Sequence, residues 1–572
     1  MLFGLFLCLG AVLAQTPVSG VVTAASDNQP LFGARVSADG GRTFTATDEA
    51  GKFSLTIKGK NHNITVSYLG MQSQTLKGAT DMKIALKDAQ SLGEVVVTGL
   101  TKTDRRMFTG AADKVDASAA RLSGVADVSR SLEGRAAGVS VQNVSGTFGA
   151  APKIRVRGAT SIFGASKPLW VVDGVIMEDV ANVDADNLAS GNAETLISSA
   201  IAGLNADDIE SFQILKDGSA TSIYGARAMS GVIVVTTKKG KQGQSHVNYT
   251  GEFTTRLIPS YSNFDILNSQ DQMSIYRELH DRGWLNFSEV LNGSDYGVYG
   301  HMYELINTFN PRTGQFALAN TEEARNTYLR QAEFRNTNWF KHLFSNAIMQ
   351  NHSVSLSGGT EKSNYYASMS AMLDPGWYKQ SEVNRYTANF NVTQHLLENL
   401  SFNVIGGASY RKQRAPGTLG QDVDVVDGEV KRDFDINPYS YALNTSRVLD
   451  PHTYYVANYA PFNIFNELDN NFINLNVLDA KFQFELKYKP IAGLELAALG
   501  AFKYAATSQE HNVTENSNQA MTYRAMSNAI IRNSNRYLYR DPEHPYDLPM
   551  SVLPIGGIYH KNENRMSNYD FR

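Results

Sequence analysis

From Ala480 the chain alternates without a break. Ala480, Phe482, Phe484, Leu486 and Tyr488 are apolar or aromatic, and Lys481, Gln483, Glu485, Lys487 and Lys489 between them are polar. Side chains on a strand point to opposite faces with a period of two, so this pattern predicts a strand with one apolar and one polar face. Pro490 to Gly493 supplies a turn, after which Leu494, Leu496, Ala498, Gly500, Phe502 and Tyr504 continue the pattern as the second half of a hairpin. Tyr386, Ala388, Phe390 and Val392 pair similarly with Leu400, Phe402, Val404, Gly406, Ala408 and Tyr410 around a turn near Leu397, and shorter runs begin at Val247, Val354 and Tyr365. These runs reach about ten residues, against the five or six of an ordinary strand, and that is the length at which a strand crosses a bilayer. Soluble sandwich strands also alternate; length, and tyrosines near the ends, are what favour the membrane. The long polar segments 268–336 and 411–470 read as loops at one end, and the last residues, to Asp570-Phe571-Arg572, read as an irregular polar stretch.

Upstream the pattern differs. From about residue 15 to 90, short alternating runs such as Val18 to Val22, Ala34 to Val36 and Phe53 to Ile57 are separated by turn residues at close intervals, as in a small β-sandwich. Asp48 and Gly51 fit the turn that starts the next strand. Then SLGEVVVTGL, 91–100, places a strong strand signal between polar, linker-like segments, with no obvious partner nearby. Such an edge leaves backbone groups free to pair with another chain. From about 103 to 240, short helical stretches alternate with glycine-punctuated strands, as in a compact α+β domain. PLWVVDGVIM (168–177) reads as two strands joined at Asp173-Gly174, the dipeptide favoured by a type I′ hairpin turn.

Composition narrows the class. At 572 residues several domains are expected, and 52 Lys and Arg against 56 Asp and Glu leave no basic field for nucleic acid. Glycine at 46 and proline at 16, with 27 Tyr and 27 Phe, is a β-rich balance, and a mean hydropathy of -0.28 excludes a bundle of membrane helices. Residues 1–14, MLFGLFLCLGAVLA, read as the apolar core and cleavage site of a signal peptide. No Lys or Arg precedes that run, so the start can lie upstream. The single cysteine, Cys8, falls inside it, so the mature chain is expected to have no disulfide and no thiolate chemistry.

No catalytic pattern emerges. The 11 histidines are scattered, no metalloprotease, nucleophile-elbow, phosphate-loop or paired-cysteine motif appears, and Asp207-Asp208 sits in a turn context. Neither an enzyme, a cofactor nor a metal site is expected. Arg155 and Arg157, two apart before Gly158, share one strand face and point toward a lumen wall or, alternatively, a ligand. Lys216-Asp217 reads as a turn with an ion pair, and Tyr224-Gly225-Ala226-Arg227 as a tight turn with an anchoring aromatic; both could also belong to a mobile part of the domain.

PLFGARV (30–36), TATDEAGKFSL (45–55) and ITVSYLGM (64–71) resemble the carboxypeptidase-regulatory-like domain, a transthyretin-like sandwich without a peptidase site. EVVVTG, RVRG, PLWVVDGV and ILKDGSATSIYGARAMSGVIVVTTKKG are similar, in order, to the plug region of the SusC/RagA family of TonB-dependent outer-membrane transporters. The resemblance is dense over about 15–260 and rests on pattern beyond it. It implies a mainly β protein: signal peptide 1–14, sandwich 15–90, TonB-box linker 91–102, plug 103–240 and, from 241 to 572, the first part of a transmembrane antiparallel barrel that has about 22 strands in the family. That count exceeds what 241–572 can supply, so the chain reads as the N-terminal portion of a longer protein.

The resemblance further implies import of oligosaccharides or peptides across the outer membrane of a Gram-negative cell. A SusD-like lipoprotein would be the lid, and TonB with its ExbB-ExbD complex the source of energy. Glu94, Val95, Val96, Val97, Thr98 and Gly99 would be the TonB box, captured by strand addition; the alternative is that they form the last strand of the sandwich or the first of the plug. Rival readings of the whole are a passive surface receptor or adhesin, and a siderophore receptor without a lid.

Overall fold

The computed structural model describes residues 15–25, 29–38, 43–58, 63–68, 71, 73–86, 95–98, 102–104, 108, 110–120, 122, 124, 128–142, 152–156, 167–177, 201, 203–417, 421–423, 430–432, 434, 436–491 and 493–572. They fall into two compact units, one holding the chain to Val97 together with 101–109, the other holding 98–100 and everything from Gly110.

The first unit is a sandwich. β1 (Gln15–Ala24) lies between β4 (Lys52–Lys58), antiparallel to it, and β7 (Met82–Leu86), parallel to it. The second sheet runs β3 (Thr43–Ala46), β2 (Arg35–Ala38), β5 (Asn63–Ser67) and β6 (Gln74–Lys77). Alternate residues of both sheets, among them Val18, Val22, Val36, Leu55, Ile57, Ile64, Val66 and Leu86, form one core. The expected turn is present: the Asp48 carboxylate accepts from the Ala50 and Lys52 amides, and Gly51 takes φ 71°. β8 (Val95–Val97) belongs to neither sheet; it pairs with β9 (Lys102–Asp104), Val96 opposite Thr103.

The second unit begins with the α+β domain. Its sheet has the order β10 (Ala112–Asp116), β15 (Ile209–Leu215), β16 (Val232–Thr237), β13 (Leu169–Val172), β14 (Val175–Met177), with a separate hairpin of β11 (Val139–Gln142) and β12 (Lys153–Val156). The run Val232 to Val235 is buried throughout, which is why it reads as continuous rather than alternating. Phe212, Ile214, Ile233, Val235, Trp170 and Leu132 form the core.

The rest builds an eight-stranded antiparallel meander: β17 (Gly243–Arg256), β18 (Ala347–Gly359), β19 (Ser363–Asp374), β20 (Glu382–Leu397), β21 (Leu400–Pro416), β22 (Asn471–Ile491), β23 (Leu494–Val513) and β24 (Ile558–Phe571). The expected hairpin registers hold: Val392 faces Val404, and Phe482 faces Phe502. At one end the connections are 360–362, 398–399 and 492–493; at the other they are 257–346, 375–381, 417–470 and 514–557. Together these strands form the sheet of a partial barrel, open at β17 and β24.

Three expectations need correction. The strands run 12 to 21 residues, longer than the outward apolar alternation marks, because toward the long connections the pattern changes: Ile473 and Leu475 are buried on the inner side, while Asn474 and Asn476 beside them are half-buried. The segment 268–336 is not plain loop but holds the helices Ser269–Asp281, Val298–Asn307 and Glu322–Arg335, while β21 continues past Arg411 to Pro416. And the irregular polar stretch at the end is β24, held by backbone pairing along all of Val513 to Gly500 and carrying little alternation to announce itself.

Burial in the wall is inverted relative to a water-soluble protein. Phe482, Phe484 and Phe502 are 51, 42 and 39 % exposed, whereas Gln483 and Lys503 beside them are each 1 % exposed. Asn351, Ser368, Arg385, Asn391, Asn403 and Gln413 are buried as well. Apolar side chains outside and polar ones inside suit a sheet whose outer face meets hydrocarbon.

Candidate functional site

The α+β domain is fastened to the buried polar face of the wall at separate points, each made by a turn. Asp173 and Gly174 join β13 to β14 with φ 51° and 92°, as a type I′ turn requires. The turn also faces the wall. The Asp173 carboxylate accepts from the Thr237 amide at 2.9 Å and its hydroxyl at 2.8 Å, while the Asp173 carbonyl accepts from Gln483 Nε2 at 2.9 Å. Lys481 Nζ donates to the Val172 carbonyl at 3.2 Å and stands 3.7 Å from Asp173 Oδ2. Lys503 Nζ, nearly inaccessible, lies 3.2 Å from Asp479 Oδ2.

The second fastening is Asp208, 2 % exposed, at the end of the one-turn helix Ala206–Asp208. Its two carboxylate oxygens accept from the Tyr366 hydroxyl at 2.8 Å and from Asn389 Nδ2 at 2.7 Å. Beside it, Asn205 Nδ2 donates to Ser353 Oγ at 3.2 Å. The third is Gly124, whose amide donates to Glu252 Oε1 at 3.1 Å and whose carbonyl accepts from Arg256 at 3.1 Å. Buried ionic and polar groups of this kind resist loss of one partner strongly. An apolar joint gains nothing from water on parting, whereas these groups exchange their partners for water. A cavity of about 50 Å³ lined by Asp173, Asp208, Lys481 and Asn391 already has room for water at the joint.

The motif residues divide as follows. Tyr224, 7 % exposed, donates its hydroxyl to the Thr98 carbonyl, which brings together two residues singled out separately in the sequence. Gly225 next to it takes φ 63°, ψ -152°, a conformation essentially restricted to glycine, so the tight turn is real. Arg227 lies in the last turn of the same short helix and is exposed. Asp217 caps Gly218–Thr221 by accepting from the Ala220 amide at 2.8 Å, and also accepts from the Ala111 amide at 2.7 Å. The ion pair expected within Lys216-Asp217 forms elsewhere: Lys216 pairs with Asp113, one strand away, because the cap already uses the Asp217 carboxylate. Arg155 is half-buried in β12, and no hydrogen bond from it to a wall strand occurs among the described residues. Arg157, Gly158, Glu94 and Gly99 lie outside the described residues.

Val95 to Val97 is not an orphan strand. Polar Lys102 to Asp104 pairs with it, since a two-stranded ribbon needs backbone groups rather than apolar side chains, and Val96 is fully buried. One edge is thereby taken by its own chain. Among the residues that carry the fastenings, Asp208, Tyr366, Asn389, Lys481 and Gln483 were not singled out as a site. Lys481 and Gln483 were visible as inward positions of an alternating strand; Asp208 looked like any turn carboxylate.

Comparison with known proteins bears on the same regions. The family model of the CarboxypepD_reg-like domain matches residues 18–97, and that of the TonB-dependent Receptor Plug Domain matches 104–232. The TonB-dependent receptor SusC of Bacteroides thetaiotaomicron is 32 % identical over 406 residues, 71 % of this chain and 35 % of its own length. A TonB-dependent receptor of Formosa agariphila is 29 % identical over 413 residues, again 71 % of this chain and 35 % of its own. Among solved structures, the RagAB peptide importer in its closed-closed state is similar with a TM-score of 0.52 at 20 % identity, covering 71 % of this chain and 42 % of that one, which is a likeness of fold. The chain thus spans about a third of the length of these curated relatives.

Proposed function

Taking as premise that this chain belongs to the SusC/RagA-type TonB-dependent receptors, of which it is a partial chain, we propose that the whole protein is an energised nutrient importer of the Gram-negative outer membrane. Residues from about 103 to 240 act as its plug, and residues 1–14 as the signal that exports it. The cargo is an oligosaccharide or a peptide, held beneath a SusD-like surface lipoprotein. The expectation of such a lid follows the resemblance carried by EVVVTG, RVRG and PLWVVDGV.

The observation that carries this reading is a wall that is apolar outside, polar inside and occupied on its polar face by a domain fastened through hydrogen bonds and ion pairs. Such a domain closes a pore and yet can be moved. The strand Val95–Val97, extended and joined through Thr98 to Tyr224 of the plug, supports a TonB box whose displacement is felt there. A pull on the box would act first on the Tyr224 to Thr98 bond, and the plug's polar fastenings would follow. Nothing in this chain binds a nucleotide by motif, and the proton gradient used through TonB and ExbB-ExbD would supply the energy.

The test uses the full-length protein with its lipoprotein partner, expressed in cells with and without TonB, and measures uptake of labelled cargo alongside surface binding. Uptake that needs TonB, with binding that does not, is expected. Equal uptake in both strains would leave a passive receptor instead, uptake independent of every SusD-like lipoprotein would remove the lid, and a soluble periplasmic product would remove the membrane.

A further inference from the structure

β21 lies inside the wall, between β20 and β22, so its outward face is complete in this chain although the barrel is not. From Leu400 to Tyr410 every second residue on that face is apolar, aromatic or glycine. About ten residue steps of ~3.3 Å, inclined by about 40°, give the roughly 25 Å of an apolar membrane band. Tyr410 and Tyr386, in register and 42 and 47 % exposed, close the band toward the long connections. The next outward position is Lys412. Arg411 and Gln413 on either side of it are buried, whereas Lys412 is exposed. It therefore stands one outward step beyond the tyrosines, where headgroups rather than hydrocarbon surround a wall.

Donors surround Lys412. Asn384 and Asn476 flank it in register on the two neighbouring strands. The Tyr410 hydroxyl donates to Asn476 Oδ1 at 3.2 Å, which leaves the Asn476 Nδ2 group to donate outward. Arg414, the next residue on the same face, lies over the Phe472 ring, its guanidinium carbon 4.1 Å from the ring centre. Neither Lys412 nor Arg414 has a carboxylate within ion-pair distance among the described residues. Farther along the sheet the outward cations are neutralised by the protein itself: Lys561 and Arg565 of β24 have Glu563 at 2.6 and 3.7 Å. Glu382 is in register with Arg414 and disfavours an anion on that side, so the place for one is at Lys412. A compact ammonium between two amide groups suits the several acceptor oxygens of a phosphate, and a layer of anionic headgroups brings that phosphate to it.

Resting on the outer-membrane importer reading, we propose that Lys412, with Asn384 and Asn476 and with Arg414 beside it, binds the phosphate of an outer-leaflet glycolipid and so seats one lipid at a fixed place on the wall. The test is native mass spectrometry of the full-length protein in neutral detergent, titrated with lipid A that carries its phosphates and with lipid A from which they have been removed. The phosphorylated lipid is expected to bind about tenfold more tightly. Lys412→Gln should remove most of that difference, Arg414→Gln less of it, and Lys412→Arg should stay within about threefold of the parent. The temperature of heat modification in lipid-free detergent should be the same in all of them, because both side chains stand outside the wall. The proposal is overturned if phosphate-free lipid A binds equally well, or if Lys412→Gln binds the phosphorylated lipid as the parent does. It is also overturned if millimolar inorganic phosphate displaces the lipid, which would make this a site for the free ion. TonB-dependent uptake by a parent that retains no lipid A would sink the lipid site alone; lipid A held through Lys412 without TonB-dependent uptake would sink the importer alone.

Discussion

Arg256, at the end of β17, reaches across β18 and grips Asp374 at the end of β19, with Nη1 2.7 Å from Oδ1 and Nη2 2.8 Å from Oδ2; the Asp374 side chain is fully buried. The same guanidinium donates to the Gly124 carbonyl of the plug. Two strands and the plug thus share one cation. Replacing Arg256 by Gln takes the cation from a buried carboxylate whose other partner among the described residues is the Gly376 amide, and a loss of about 3–5 kcal/mol is expected. Heat modification of the full-length barrel on gels should occur at clearly lower temperature, and Asp374→Asn with Arg256→Gln should be less harmful than Arg256→Gln alone. Additive effects would mean that the pair is not the unit.

The Lys481 fastening should restrain the plug rather than fold it. Lys481→Met keeps the length of the side chain and removes the ammonium that reaches the Val172 carbonyl. Cells lacking TonB should then become several-fold more sensitive to a large antibiotic that the outer membrane normally excludes, while the amount of protein in the membrane stays constant. Asp173→Asn should leak less, because asparagine tolerates the φ above zero and its Oδ1 can still accept from Thr237. A tight plug in Lys481→Met would show that the anchor carries no weight.

For the proposed TonB box, the hairpin changes what is expected of Val96. Proline there fixes φ near -65° and removes an amide, so β8 should no longer form a strand for either β9 or TonB. Uptake should collapse while cargo binding and membrane assembly persist. Val96→Ala keeps the amide and, as Val96 is fully buried, should cost roughly 1–2 kcal/mol locally with uptake reduced rather than lost. Tyr224→Phe releases the Thr98 carbonyl; a cysteine placed at 97 should be labelled faster from the periplasm in that variant even without cargo. Loss of the protein from the membrane in Val96→Pro would instead make 95–98 an internal structural strand.

A pH effect follows from Glu467, in the helix Ile464–Asn470, 1 % exposed and accepting from the Asn518 amide at 2.6 Å. Burial pushes its carboxyl above the ordinary 4.5, outweighing the hydrogen bonds from Asn518, Asn471 and Gln519. Between 4.5 and the raised folded value the unfolded chain has lost a proton that the folded chain still holds. Stability therefore falls as pH rises through that window and levels off above it. Glu467→Gln should flatten this slope, so that the variant loses less than the parent between pH 4.5 and pH 7 in thermal melts followed through loop tryptophan fluorescence.

The strand registers and the Asp173-Gly174 turn were legible because they rest on local signals, two-residue periodicity and the φ preferences of a dipeptide. β24 was not, since Ile558 to Phe571 is held by backbone bonds to β23 and carries charged side chains where an alternating strand would show apolar ones. The pairing of Val95–Val97 with Lys102–Asp104 escaped for the same reason. At the site, Tyr224 and Thr98 were each visible, but their contact spans the plug and no local spacing reveals it. Asp208 and its partners Tyr366 and Asn389 come from three distant stretches, and a carboxylate in a turn looks the same from sequence whether water or a wall surrounds it.

Every strand of the wall pairs with the wall strand next to it in the chain, so the sheet can lengthen by one hairpin at a time, each hairpin turning through a short loop while the longer connections at the other end bring it to the sheet. At every stage of such growth the newest strand is also the edge, with a full row of backbone groups unpaired. In hydrocarbon that row is intolerable, and in water it is a template for aggregation. A wall of this topology therefore needs an attendant at its growing end until the last strand meets the first, and the hazard of making the protein lies there rather than in its core.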